Sequence, residues 1–139
     1  MQQPQAPPPR VLVVDDDALV ADTFAMVLNS CGFEAVAAHS GEEAVELARL
    51  GRYDNLVTDV MMEPMNGIQA ALAIREIHPD CKVLLVSGVQ HTAILIQEAM
   101  EAGHEFEILA KPVHPSTMLE HLRGQATTPS APGPPVISL

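Results

Sequence analysis

Five times along this chain of 139 residues, a short apolar run gives way to a longer amphipathic segment. The strand candidates are Val11–Val14, Phe33–Ala37, Asn55–Thr58, Lys82–Val86 and Phe106–Ala110. They are rich in Val, Leu and Ile or alternate apolar residues, as buried strands do. The helix candidates are Ala18–Ser30, Gly41–Leu50, Gly67–Ile77, Thr92–Ala102 and Ser116–Arg123. In SGEEAVELA, Ser40 stands three residues before Glu43, the spacing of a capping box. Gly32, Gly51 and Gly103 fall where helices must end. The alternation predicts an α/β domain, a parallel sheet covered by helices on both faces. Such sheets bind ligands beyond the carboxyl ends of their strands, where the strand order switches.

Both ends are rich in proline, which removes backbone donors and favours extended, unpacked chain. Residues 1–9 and 125–139 therefore read as tails or linkers, and 10–124 as the folded domain. Apolar residues make up 47% of the chain, enough for one core. With aromatics at only 3%, Leu, Val, Ile, Ala and Met must fill it. The formal charge of −11 argues against direct contact with nucleic acid, which needs a basic surface. Cys31 and Cys81 lack CxxC spacing and read as free thiols in a reducing compartment. No apolar run reaches the roughly 18 residues that span a bilayer. MQQPQAPPPR contains no apolar stretch of a secretory signal, so a cytoplasmic location is expected.

Polar residues gather where the strands end. Asp15 and Asp16 follow the first strand in VLVVDDD, and Asp59 follows the third in YDNLVTDVMMEPMNG. Ser87 follows the fourth in LLVSG, and Lys111 the fifth in LAKP. Three carboxylates in one place require a cation, and hard oxygen ligands suit magnesium. A lysine and a hydroxyl beside them can grip the oxygens of a phosphoryl group. Asp17 has a different task, favouring the N-terminus of the first helix.

These four stretches, in this order and near this spacing, resemble the response-regulator receiver domain of bacterial two-component signalling, the CheY-like family. The resemblance covers about residues 10–123. It implies a flavodoxin-like, doubly wound (βα)5 fold with a five-stranded parallel sheet in the order 2-1-3-4-5. It implies that Asp59 is the phosphoacceptor, taking its phosphoryl group from a histidine kinase or phosphotransfer protein. Mg2+ would be held by Asp16 directly, by Asp15 largely through water, by Asp59 and by the backbone carbonyl of Met61. Lys111 would pair with Asp59 and later with the phosphoryl group, and Ser87 would bond a phosphoryl oxygen as part of the switch. Pro112 would follow a cis peptide. Such a domain is a switch rather than an enzyme acting on other substrates. Its expected partners are the kinase and a downstream effector protein, with no membrane and no nucleic acid, as a monomer or weak homodimer.

The chain departs from the family pattern in two places. Met62 is followed by Glu63 before Pro64, which adds a carboxylate near the metal. The position three before the lysine, usually a rotating Tyr or Phe, is Ile108, and the nearest aromatic is Phe106. The serine-driven loop shift is expected to survive and the aromatic readout is not. In the family it resembles, the positions two after the acceptor and two after the serine tune phosphate lifetime; here they are Met61 and Val89. Neither can orient an attacking water, so slow self-dephosphorylation is expected.

His39, His78, His91, His104, His114 and His121 show no helical pairing and read as surface or loop residues. Met61, Met62 and Met65 read as loop packing. In the fourth helix, Ile94, Leu95 and Ile96 spread apolar surface around more than one side. Packing against the fifth helix is one reading; a partner face built from the fourth helix, fifth strand and fifth helix is the other. A phosphatase of the haloacid-dehalogenase type, with Asp15 as nucleophile, is the alternative enzyme reading. It requires a further acidic pair beyond the lysine, where only Glu120 is found, and leaves Asp59 idle. A receiver-like scaffold that is never phosphorylated is the third.

Overall fold

The computed structural model describes residues 7–88, 92–104 and 106–124, with backbone alone at 92–95. Strands β1 (Arg10–Val14), β2 (Glu34–Ala38), β3 (Asn55–Asp59), β4 (Lys82–Ser87) and β5 (Glu107–Ala110) alternate with helices α1 (Ala18–Ser30), α2 (Gly41–Leu50), α3 (Gly67–Ile77), α4 (Thr92–Glu101) and α5 (Pro115–Gly124). All strand pairs are parallel, in the order β2-β1-β3-β4-β5, the flavodoxin-like arrangement.

Strand residues alternate between two apolar layers. Leu12, Val14, Leu56, Val83 and Leu85 meet Ala44, Ala71, Ile74, Ile96 and Ala99 of α2, α3 and α4. Val11, Val13, Val57, Leu84 and Val86 meet Ala25, Leu28, Met118 and Leu122 of α1 and α5. Successive residues of a strand point to opposite faces, so strands covered on both sides carry uninterrupted apolar runs. The order turns between β1 and β3, and the crevice there opens at the carboxyl edge.

The sequence reading needs correction at several ends. Asp59 and Ser87 lie inside β3 and β4 rather than beyond them, because the ladder runs one residue past the apolar run: Val60 N–H donates to Val86 O at 3.0 Å and Lys111 N–H to Ser87 O at 2.9 Å. Phe33 and Phe106 each fall just outside their strands, and α5 begins at Pro115. The Ser40 cap is half a capping box. Ser40 Oγ accepts from Glu43 N–H at 3.0 Å, but Glu43 Oε1 accepts from His39 N–H at 2.6 Å, not from the cap residue. The reciprocal box is at Asn66 and Gln69, opening α3. Gly32 and Gly103 have φ of 95° and 94°, the left-handed region that glycine tolerates after a helix. None of the described helices is long and apolar enough to cross a membrane. Val89, His91, the side chains of Ile94 and Leu95, and nearly all of the two proline-rich ends lie outside the described residues.

Candidate functional site

The three consecutive aspartates divide their work as the chain leaves β1. Asp15 still belongs to the sheet's edge, its N–H donating to Ala38 O at 3.2 Å. Its Oδ1 accepts from Asp17 N–H at 2.9 Å, which turns the chain. Asp17 then caps α1, accepting from the N–H groups of Leu19 and Val20 at 3.1 and 3.4 Å. Asp16, between them, is exposed.

Asp59 closes β3 with only 6% of its surface accessible. Its Oδ1 accepts from Met61 N–H at 3.2 Å, and its Oδ2 from Lys111 Nζ at 2.9 Å. The same ammonium lies 3.6 Å from Asp15 Oδ2. Two glycines make this closeness possible. A Cβ on Gly67 would lie 2.0 Å from the backbone oxygen of Asp59, so α3 can start there only without a side chain. A Cβ on Gly88 would lie 3.0 Å from Lys111 Cδ, where the lysine stem now runs.

Asp15, Asp16 and Asp59 each offer an oxygen within 4.8 Å of the others. Burial pushes the Asp15 carboxyl above its ordinary range; the Asp17 N–H and Lys111 oppose this, while the charges of Asp59 and Asp16 add to it. Burial works to lower the Lys111 pKa, but its hydrogen bond to Asp59 and the charges of Asp59 and Asp15 outweigh that, and the ammonium is held above its ordinary value. The pocket thus has more negative charge than its one lysine offsets. Carboxylate oxygens at this spacing, short of positive charge, fit a hard divalent cation such as Mg2+.

The sequence-predicted residues Asp15, Asp16, Asp59 and Lys111 are therefore brought together. Ser87 ends β4 almost fully buried, tied through its carbonyl to the Lys111 N–H. Met61 contributes its N–H to Asp59, and the residue is 38% exposed. Met62 is buried and Met65 packs against the same core, the loop packing expected of them. Glu63 is exposed and stands outside the carboxylate group, so it does not join the candidate metal ligands. The Lys111–Pro112 peptide is cis, and so is Glu63–Pro64, which the sequence reading did not anticipate. Ile108 and Phe106 are half-buried against one apolar cluster, the shared facing that strand alternation predicts. The Arg75 guanidinium sits 4.7 Å over the Phe106 ring, with His104 stacked at 6.3 Å.

Three of the described histidines serve local structure. His39 Nε2 pairs with Asp22 at 2.8 Å, His78 Nε2 donates to the carbonyls of Ala48 and Gly51, and His121 pairs with Glu107. Gly67 closes the quoted YDNLVTDVMMEPMNG stretch but was given no role of its own, although a glycine at the first turn of a helix, where other residues are better formers, was a signal.

Residues 11–123 match the family described as the response regulator receiver domain. The chain is 35% identical over 114 residues to the chemotaxis protein CheY of Thermotoga maritima, covering 81% of this chain and 93% of that protein. It is 34% identical over 117 residues to a cyclic di-GMP phosphodiesterase of the same organism, covering 84% of this chain but 30% of the relative. Among solved structures, chemotaxis protein CheY4 of Vibrio cholerae superposes with a TM-score of 0.73 at 28% identity, over 84% of this chain and 97% of that one.

Proposed function

This chain belongs to the response regulator receiver domain family of two-component signalling, and from that premise we propose that Asp59 accepts a phosphoryl group and switches the domain between two states. The observation that carries the proposal is the Lys111 ammonium 2.9 Å from Asp59 Oδ2, with Asp15 and Asp16 beside it at the carboxyl edge of the sheet. A carboxylate oxygen of Asp59 attacks the phosphorus of a phosphohistidine; the P–N bond breaks, and the imidazole leaves. Lys111 is placed to exchange its carboxylate contact for one with the transferred group, lowering the charge on its oxygens. Mg2+ held by Asp16, Asp15, Asp59 and the Met61 carbonyl would offset the negative charge that otherwise repels an incoming phosphoryl group. The buried position of Asp59 limits water at the acyl phosphate, and Met61 brings no hydrogen-bonding side chain to orient one. Slow self-hydrolysis follows.

The donor is a histidine kinase or phosphotransfer protein, and the reader is an effector protein. Ser87 carries the response by bonding the new phosphoryl group and drawing its loop inward. An aromatic rotor is not part of the mechanism: Ile108 occupies its place, and the Phe106 ring is covered by Arg75 and His104. The test is mass spectrometry after incubation with Mg2+ and acetyl phosphate. One phosphoryl group on the parent and none on Asp59→Asn is the expected result. Continuous phosphate release without a labelled Asp59 would favour the phosphatase reading instead.

A further inference from the structure

A cavity of about 260 Å3 lies beneath the acidic site, between the sheet and helices α1 and α5. Val13, Val57 and Val86, one from each of three adjacent strands, form its floor, and Phe24 and Met118 stand at its sides. Protein interiors pack like organic crystals and leave few voids larger than a water molecule. Valine, phenylalanine and methionine side chains give water no partners, so a space of this kind suits apolar matter. The rest of its lining is different in kind. Asp15, Asp59 and Lys111 belong to it, and Asp16 comes within reach of both carboxylates. The one lysine there already serves Asp59 at 2.9 Å and Asp15 at 3.6 Å.

A ligand that satisfies both halves has a compact apolar body and one cationic head. We propose that this cavity binds a small primary amine with an aryl or short alkyl tail, its ammonium against Asp15 and Asp59 and its tail on the three valines. An ammonium has three N–H donors and no acceptor, which matches carboxylate oxygens. An anionic head on the same tail would meet them with like charge. Because the ammonium takes carboxylates that also suit Mg2+, amine and metal exclude one another. That exclusion rests on the metal reading above, whereas the filling of the cavity does not.

The probe is phenethylamine, titrated into the methyl-labelled full chain in metal-free buffer and followed by NMR. Phenethyl alcohol and phenylpropionate run beside it. Saturable shifts of the Val13, Val57 and Val86 methyl signals are expected with the amine, with the alcohol and the acid at least about tenfold weaker. Val20→Phe and Val113→Phe, at half-buried positions of the cavity wall, fill the space from its solvent side and should abolish binding while the melting profile stays near the parent's. Added Mg2+ should raise the apparent dissociation constant of the amine in proportion to its concentration. Absence of saturable shifts, equal binding of the alcohol, or binding that survives both filled variants would overturn the proposal. Amine binding indifferent to Mg2+, in a chain that a separate titration shows to bind Mg2+, would overturn the shared seat. Amine binding in a chain that binds no Mg2+ would support the cavity and sink the metal reading alone.

Discussion

Asp15 sits at the mouth of the first strand with its carboxylate nearly enclosed, and the cost of burying its charge outweighs what Lys111 and the Asp17 N–H return. Burial raises its pKa above the ordinary 3.8, so between 3.8 and the raised value the folded state binds more protons than the unfolded. Stability falls as pH rises through that window, and at neutral pH the ionised group is a cost to the metal-free fold. Asp15→Asn keeps the shape and the acceptor for the Asp17 N–H. Thermal melts in chelator should show its Tm above the parent's at neutral pH, by about 3 °C for a domain of this size. The gain should fade as pH is lowered toward 3.8; a variant less stable than the parent at pH 7 would contradict the argument. Gly67 shows the opposite case, a residue that matters for what it lacks. In Gly67→Ala the new methyl meets the Asp59 backbone carbonyl oxygen at 2.0 Å, with no flexible side chain to yield. Urea unfolding should show a loss on the order of 3 kcal/mol. Labelling of Asp59 by acetyl phosphate should slow as well, even in conditions where the variant is folded. Gly124→Ala, where a Cβ would meet nothing within 4 Å, is the neutral control.

Whole elements were legible in the sequence where local chemistry agreed with packing. The bounds of α1 and α2 follow from the apolar spacing and from cap residues that the structure then uses, Asp17 and Ser40; α3 has the bounds its spacing predicts, but its cap, Asn66, was not read. Strand ends were less legible for a physical reason. At the carboxyl edge the side chains turn polar while the backbone goes on pairing, so apolarity stops before the ladder does at Asp59 and Ser87. The reciprocal capping box was assigned to Ser40 and found at Asn66 because spacing alone does not say where the glutamate turns; Glu43 turns to His39 instead. The Phe106 position could not be read locally either, since Arg75 that covers its ring belongs to a helix far off in sequence. Caps make a clean test at this scale. Asp17 Oδ1 satisfies two N–H groups of α1 that otherwise have no helical partner. Asp17→Ala should lower the denaturant midpoint by the equivalent of about 1 kcal/mol with an unchanged m-value, and Asp17→Ser should restore most of it. Equal midpoints for parent and Asp17→Ala would show that the cap is idle.

For the molecule as a whole, charge is the term that its folded shape leaves uncompensated. Acidic side chains outnumber basic ones by 18 to 7, giving −11 overall, and the fold then draws three of the carboxylates into one pocket. Self-repulsion on this scale opposes compaction and is screened by salt. Sodium chloride should therefore raise the Tm of the metal-free protein gradually, with no saturation tied to a site. Mg2+ should do something further. Binding to the folded state alone adds stability as the logarithm of metal concentration over its dissociation constant, on the order of 1–3 kcal/mol when the metal is in large excess. The two effects separate in melts at matched ionic strength, where the Mg2+ curve should lie above the sodium curve. Asp16 is the residue with which to assign that difference. It is exposed, unlike Asp15 and Asp59, so replacing it leaves the packed interior untouched. Asp16→Ala should keep the response to sodium and lose the excess given by Mg2+. If the parent's two curves coincide, the carboxylates gather at the sheet edge without selecting a divalent ion, and the charge argument loses its site-specific half.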